Sequence, residues 1–147
     1  MTSANLAAFL YLWGANTSTT TITGPNTGLV EVRGNTIAPS GRLWAFASYS
    51  RFIRPGAVRI GTTTSRAGLE VSAFRNSDGS TAVVVLNSAR SRQRVTFSLH
   101  GLDAAQVTPY LTDTSHELSA QAPVTVKNSA FTATVPARSL VSYDIRS

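Results

Sequence analysis

The hydrophobic pattern of this chain changes period at Pro55. Between Ser40 and Ile53, apolar residues recur at spacings of three and four, which predicts an amphipathic helix. Ser40 can cap the first turn through its hydroxyl, because that oxygen can accept from an otherwise unpaired amide. Pro55 predicts the end of the helix, since it lacks an amide hydrogen and excludes the α region for the residue before it.

The two sides of this predicted helix differ in chemistry. The apolar stripe is formed by Leu43, Trp44, Phe46, Ala47, Phe52 and Ile53. Arg42, Ser48 and Arg51 are predicted to lie on the opposite side. Because a broad apolar stripe is unfavourable in water, we expect that side to be covered.

From Ala57 onward the pattern has a period of two. Eight short segments alternate apolar and polar residues or are rich in β-branched residues, and Gly, Pro, Asn or Ser separate them. They are residues 57–60, 70–75, 81–86, 95–99, 107–111, 124–126, 131–135 and 141–145. This pattern predicts a mainly β chain with an antiparallel β-sandwich of about eight strands. Pro109 predicts that its strand is an edge strand or contains a bulge.

The region before the helix is less regular. Residues 6–13 are nearly all apolar and predict a strand buried on both faces, although the core of a signal peptide has a similar composition. No Lys or Arg precedes this run, which favours the strand. Residues 17–39 are rich in Thr, Asn and Gly and predict a long loop with one short extended piece. We therefore divide the chain into residues 1–56 and a sandwich domain of residues 57–147.

Composition excludes several classes of protein. The 147 residues contain no cysteine, so disulfides, thiolate metal sites and cysteine nucleophiles are excluded. No apolar run is long enough for a membrane span. The net charge of +6 comes mainly from arginines that are spread along the chain, and Arg90, Arg92 and Arg94 alone lie close together. No aromatic residue is interleaved with these three, so they predict a solvated hairpin loop and no nucleic-acid partner.

The sequence contains no recognisable catalytic or metal-binding motif. The seven acidic residues lack a paired arrangement and are interpreted as solvated surface charges. His100 and His116 lack the spacing of metal ligands, so no metal and no cofactor is expected. Tyr11 and Trp13, followed by Gly14 and a polar loop, could form a stacking platform for a sugar ring or could simply belong to the core.

Four segments resemble the C-terminal part of glycoside hydrolase family 30. They are residues 11–14 (YLWG), 42–46 (RLWAF), 50–60 (SRFIRPGAVRI) and 135–143 (VPARSLVSY). The wording of residues 42–57 is most similar to fungal endo-β-1,6-galactanases within that family. The resemblance extends over nearly the whole chain, and residues 50–60 are its most specific part.

This resemblance implies a (β/α)8 barrel with a sandwich attached to its side, in a secreted enzyme that cleaves β-linked polysaccharide. Residues 6–13 would be the eighth barrel strand, Ser40 to Ile53 the last barrel helix, and Trp13, with Tyr11, part of the sugar cleft. The two catalytic glutamates would lie upstream of Met1, so we expect no catalytic residue here and no activity of this chain alone. The chain would be a truncated part, with an open sheet edge and exposed apolar surface that favours self-association.

Overall fold

The computed structural model describes residues 8–17 and 27–146. Their first part contains β1 (Ala15–Thr17), β2 (Val30–Arg33), β3 (Thr36–Pro39) and the helix α1 (Gly41–Ser50). The second part contains β4 (Val58–Ile60), β5 (Leu69–Arg75), β6 (Thr81–Asn87), β7 (Gln93–Ser98), β8 (Gln106–Thr112), β9 (Ser119–Ala120), β10 (Val124–Thr125), β11 (Ala130–Val135) and β12 (Ser139–Arg146). The predicted mainly β architecture is confirmed, and β9 is the strand that the alternation did not reveal.

The second part forms an antiparallel β-sandwich. Its larger sheet has seven strands in the order β10-β8-β12-β6-β5-β4, with β9 also paired to β8. The smaller sheet consists of β7 and β11, which pair only with each other among the described residues. The expected open edge is therefore present in the described part of the chain, and a groove of about 760 Å³ runs along β7.

Aromatic rings from both sheets meet in the core of the sandwich. Phe97 and Phe131 are cross-strand partners in the smaller sheet and stack with their ring centroids 4.7 Å apart. Tyr143 of β12 packs against both, at centroid distances of 5.1 and 5.3 Å. Alternate residues of a strand point to the same face, so the sequence pattern correctly places Val141 and Ile145 beside Tyr143 in this core.

Helix α1 packs on the other face of the larger sheet, but not with the face that the sequence predicts. Ser48, assigned to the polar side, is fully buried, whereas Phe46 and Ala47 are only partly buried. The Ser142 hydroxyl donates to the Ser48 carbonyl (2.7 Å), and the Ser48 hydroxyl lies 3.2 Å from that of Thr112. The prediction was wrong because a small side chain lets the helix approach the sheet closely, and its hydroxyl finds partners there.

Both ends of α1 also differ from the expectation. Ser40 occupies the N-cap position, but its hydroxyl donates to the carbonyls of Gly28 and Leu29 (3.0 and 2.8 Å) and makes no cap hydrogen bond. The helix ends at Ser50, before the predicted stop at Pro55. The exiting chain is held by Asn76, whose side chain donates to the Phe52 carbonyl (2.8 Å).

The predicted buried strand at residues 6–13 is wrong for its described residues, 8–13, which form no strand; residues 6 and 7 lie outside the described part. Leu10 and Leu12 are 91% and 87% exposed. A strand buried on both faces needs neighbouring strands and covering layers, and the described residues provide neither for this segment. Strand pairing begins only at Ala15, where β1 runs parallel to β2.

Pro109 also lies in a different setting from the predicted one. Its strand, β8, is paired along one side with β12 and along the other with β9 and β10, so it is not an edge strand. On that second side, β9 pairs with Tyr110 and Leu111, and β10 pairs with Gln106 and Val107. Pro109 thus falls in the gap between two short strands, where the ladder does not need its missing amide hydrogen.

The burial of Ser48 leads to a prediction about size. Ser48→Leu is expected to lower the free energy of unfolding by about 1–3 kcal/mol, because the larger side chain has no room between α1 and the sheet. Ser50→Leu, on the exposed part of the same helix, is expected to change it by less than about 0.5 kcal/mol. Urea denaturation at 25 °C measures both, and equal effects of the two variants would contradict this packing.

Candidate carbohydrate-binding site

The segment that carries Tyr11 and Trp13 is held by the strand that follows it. The Leu29 amide donates to the Trp13 carbonyl (3.0 Å), and the Val30 amide donates to the Gly14 carbonyl (3.1 Å). The side-chain oxygen of the buried Asn16 accepts from the Gly28 amide (3.2 Å). These hydrogen bonds fix the backbone on both sides of Trp13.

Gly28 has a specific steric role in this arrangement. A Cβ atom at that position would lie 2.6 Å from the side-chain oxygen of Asn16 and 2.7 Å from the Val30 carbonyl oxygen. Neither distance is compatible with a side chain, so the close approach of these two segments requires glycine.

Tyr11 lies on an apolar groove of about 640 Å³ between residues 8–11 and α1. Its hydroxyl donates to the Thr27 carbonyl (2.7 Å), so one end of the side chain is anchored. Phe9 and Phe46 also line the groove, with ring centroids 6.1 Å apart. Arg42 and Glu70 add charged groups to this otherwise mainly apolar surface. A concave apolar surface with aromatic rings and few polar groups is the usual form of a small-ligand site.

Trp13 is half-buried and is not among the residues that line this groove. The backbone bends at Leu12 between the two aromatic residues. The structure therefore positions Tyr11 and Trp13 in one hydrogen-bonded segment but does not place both on one groove.

One acidic residue was misjudged from the sequence. All seven acids lie in the described ranges 8–17 and 27–146, and Glu31 is the buried one, with 7% exposure. Its carboxylate accepts from Arg33 (2.6 Å), and this hydrogen bond raises the pKa of Arg33. The Glu-x-Arg spacing was the available signal, because residues two apart on a strand share a face.

The surroundings of Glu31 do not resemble a pair of catalytic carboxylates. Glu31 lines a small pocket at the start of α1 together with Arg33 and Arg42, and it is the single acid among the described residues there. Glycoside hydrolysis with two carboxylates requires a second acid across the cleft. The Glu31 pocket therefore lacks the groups for that chemistry.

Asp113 and His116 form a second polar cluster, in the loop after β8. The His116 ring nitrogen Nδ1 lies 2.8 Å from an Asp113 carboxylate oxygen, which also accepts from the Ser115 and His116 amides. Partial burial acts to raise the pKa of Asp113, but these hydrogen bonds and the adjacent imidazole outweigh it and lower that pKa. Within the described ranges, no group of three or more His, Asp or Glu side chains is arranged to hold a metal ion.

Comparison with known proteins defines the class. Residues 56–143 match the family model described as the glycosyl hydrolase family 30 beta sandwich domain. The chain therefore belongs to this family, as the resemblance of residues 50–60 and 135–143 implied.

Particular relatives refine this assignment. The chain is 31% identical over 105 residues to glucuronoxylanase XynC of Bacillus subtilis (strain 168), covering 71% of this chain and 25% of the relative. It is 37% identical to the catalytic domain of GH30 xylanase C from Talaromyces cellulolyticus, with a TM-score of 0.76, covering 91% of this chain and 29% of that one. A GH30 endoxylanase from Clostridium papyrosolvens C71 is 29% identical with a TM-score of 0.71, covering 75% of this chain and 28% of that one.

These relatives are xylanases, and they do not support the expected similarity to galactanases. The chain spans about a quarter of the length of the curated relatives that it matches. Among the described residues, no helix is long and apolar enough to cross a membrane.

Proposed function

We propose that this chain is the C-terminal portion of a secreted, retaining β-glycanase and that its sandwich and α1 support a catalytic barrel contributed by other residues. The observation that carries the proposal is the match of residues 56–143 to the family's sandwich domain. The similarity to the Talaromyces xylanase C domain, which covers 91% of this chain, supports the inclusion of α1 and the segment before it. Residues 1–56 would then belong to the barrel, and residues 57–147 to the sandwich.

The chain by itself is expected to be inactive. Hydrolysis with retention needs two carboxylates on opposite sides of the glycosidic bond. Glu31 is paired with Arg33, and the acids with the greatest exposure lie at turns and on outward strand positions. No acid of this sequence corresponds to a catalytic position of the family.

The proposed substrate is a β-linked polysaccharide. The names of the relatives favour a xylan, whereas the wording of residues 42–57 led us to expect β-1,6-galactan. We place Trp13 and Tyr11 at the sugar. Trp13 supplies a stacking surface, and Tyr11 is anchored through Thr27 beside an apolar groove.

Affinity electrophoresis of the 147-residue chain in gels that contain glucuronoxylan, β-1,6-galactan or β-1,6-glucan tests this assignment. Trp13→Ala is expected to weaken retardation by the preferred glycan about 10-fold, since a lost aromatic stacking contact is worth about 1.4 kcal/mol. Leu12→Ala, which changes an exposed neighbour, is the matched control and is expected to leave retardation unchanged. Tyr11→Phe retains the ring but loses the hydrogen bond to Thr27, which separates stacking from anchoring.

Two outcomes would overturn the proposal. Turnover of any of the three glycans by the wild-type chain that survives Trp13→Ala would show a catalytic apparatus elsewhere in this sequence. Equal retardation of wild type and Trp13→Ala by every glycan would remove Trp13 from the sugar.

The second candidate is a purely structural module, and the hydrogen-bonded contact between α1 and the larger sheet favours it. A separate carbohydrate-binding function of the sandwich has less support. Its obvious aromatic residue, Tyr110, packs on Phe52 at 4.7 Å and is covered by the Arg51 guanidinium at 5.1 Å. A structural module predicts no glycan retardation at all.

The exposed apolar residues also support self-association of this chain. Phe9, Leu10 and Leu12 are 50%, 91% and 87% exposed, and they follow one another along one segment. Analytical ultracentrifugation is expected to detect concentration-dependent association that Leu10→Ser combined with Leu12→Ser reduces. A monomer over the whole concentration range would contradict this proposal.

A further inference from the structure

Five arginines lie together at one end of the sandwich, which we call the arginine end. It consists of Arg66 before β5, Arg90, Arg92 and Arg94 between β6 and β7 or at the start of β7, and Arg138 between β11 and β12. All five are exposed. Within the described ranges, none of them forms an ion pair within 4 Å, because the three pairs found there involve other residues.

The three segments that carry these arginines are fastened to one another. The Arg138 amide donates to the Ala89 carbonyl (3.1 Å), which joins the turn before β12 to the loop before β7. The Gln93 side-chain amide donates to the Ala67 carbonyl (3.0 Å), which joins β7 to the segment before β5. The arginines are therefore presented by a fixed framework, and their charges are held near one another at no further ordering cost to the backbone.

The backbone of Arg138 adds an independent observation. Its φ is +48°, in the left-handed region that glycine and asparagine adopt most easily. An L-residue with a side chain there costs about 1–2 kcal/mol. A glycine would form this turn with less strain, so the presence of arginine points to a use for its side chain.

We propose that the arginine end binds an anionic polysaccharide through the carboxylates of its uronic acid units. The guanidinium fork matches the two oxygens of a carboxylate, and it remains charged at any working pH. Arg92 and Arg94 are two residues apart in an extended stretch, which spaces their Cα atoms by about 7 Å and suits a ligand with repeating charges. Binding here is additional to the proposed function and does not depend on it.

Nucleic acid is a less suitable ligand for this surface. Proteins that bind single strands usually combine basic groups with aromatic side chains on which bases stack. Residues 62–68, 88–94 and 136–138 contain no aromatic residue. Several Ser and Thr hydroxyls lie in these segments and can hydrogen-bond to sugar hydroxyls.

Titration calorimetry of the 147-residue chain with polygalacturonate tests the proposal. The wild type is expected to bind, with affinity that falls as sodium chloride rises from 20 to 200 mM and with no binding to the fully methyl-esterified polymer. The triple variant R90Q/R92Q/R138G is expected to lose at least about 10-fold in affinity. R138G removes the strained side chain, so its thermal midpoint is expected to be unchanged or higher. If the triple variant fails to fold, R92Q/R94Q is used in its place and the same loss is expected.

The matched control is R54Q/R59Q/R75Q, which also lowers the net charge from +6 to +3. Arg75 lies six residues along β5 from its first residue, about 20 Å away from the arginine end. This control is expected to retain affinity within about twofold, because charges at that distance are screened. Equal losses in both triple variants would show that net charge alone is responsible. Absence of polygalacturonate binding, or binding to duplex DNA that is as tight or tighter, would also overturn the proposal.

Discussion

Asn87→Ala is expected to lower the free energy of unfolding by about 3–4 kcal/mol, because Asn87 joins three parts of the sandwich. Its side chain is fully buried at the end of β6. The side-chain amide donates to the carbonyls of Ser91 (3.0 Å), Val135 (3.2 Å) and Pro136 (2.8 Å). Its oxygen accepts from the Ala89 amide (3.1 Å). Alanine would leave these backbone groups without a partner where water has little access.

Ser88→Ala is the control for this position. Ser88 is the exposed neighbour of Asn87, and its hydroxyl makes one hydrogen bond, to the Gly68 carbonyl (3.2 Å). Its loss is expected to change the free energy of unfolding by less than about 0.5 kcal/mol. Guanidinium chloride denaturation followed by circular dichroism measures both variants. A loss below about 1 kcal/mol for Asn87→Ala would show that these hydrogen bonds do not hold the loops together.

Tyr143→Ala is expected to lower the free energy of unfolding by about 3–5 kcal/mol, through the cavity it leaves between Phe97 and Phe131. Tyr143 is 1% exposed, and its ring packs against both phenylalanines. Tyr143→Phe is the informative control, because the hydroxyl is buried without a hydrogen-bond partner among the described residues. Removal of an unpaired hydroxyl is expected to change stability by no more than about 1 kcal/mol, in either direction. Similar losses for the two variants would contradict a purely apolar role of this ring.

The same side chain makes stability depend on alkaline pH. Burial raises the pKa of Tyr143 well above its usual value near 10. The folded chain therefore keeps this proton at pH values where the unfolded chain releases it. The associated stability is complete below pH 10 and falls above it, by up to about 1.4 kcal/mol per pH unit. Tyr143→Phe lacks this dependence and is expected to unfold at a higher pH, which a titration by circular dichroism measures.

Local sequence was sufficient for the elements whose pattern repeats. Alternation placed Tyr143, Val141 and Ile145 on one face of β12, because a strand has no other way to bury every second side chain. The two-residue strand β9 was missed, because two residues are too few to show an alternation.

The candidate site was less accessible to sequence reasoning. The aromatic segment was found, and its pairing to residues 29 and 30 was not, because hydrogen bonds between distant segments leave no local pattern. Glu31 was assigned to the surface, because burial of a carboxylate depends on a partner such as Arg33 and on neighbouring strands.

The sequence by itself determined the family, the helix-to-strand change at Pro55 and the β-sandwich, because these depend on the order and period of apolar residues. Only the tertiary structure decided which face of α1 is buried, since Ser48 becomes a contact residue through Ser142 and Thr112, both more than sixty positions away. It also decided that residues 8–13 form no strand and that five separate arginines share one end of the sandwich. Distances between chain segments set these features, and a one-dimensional pattern does not contain them.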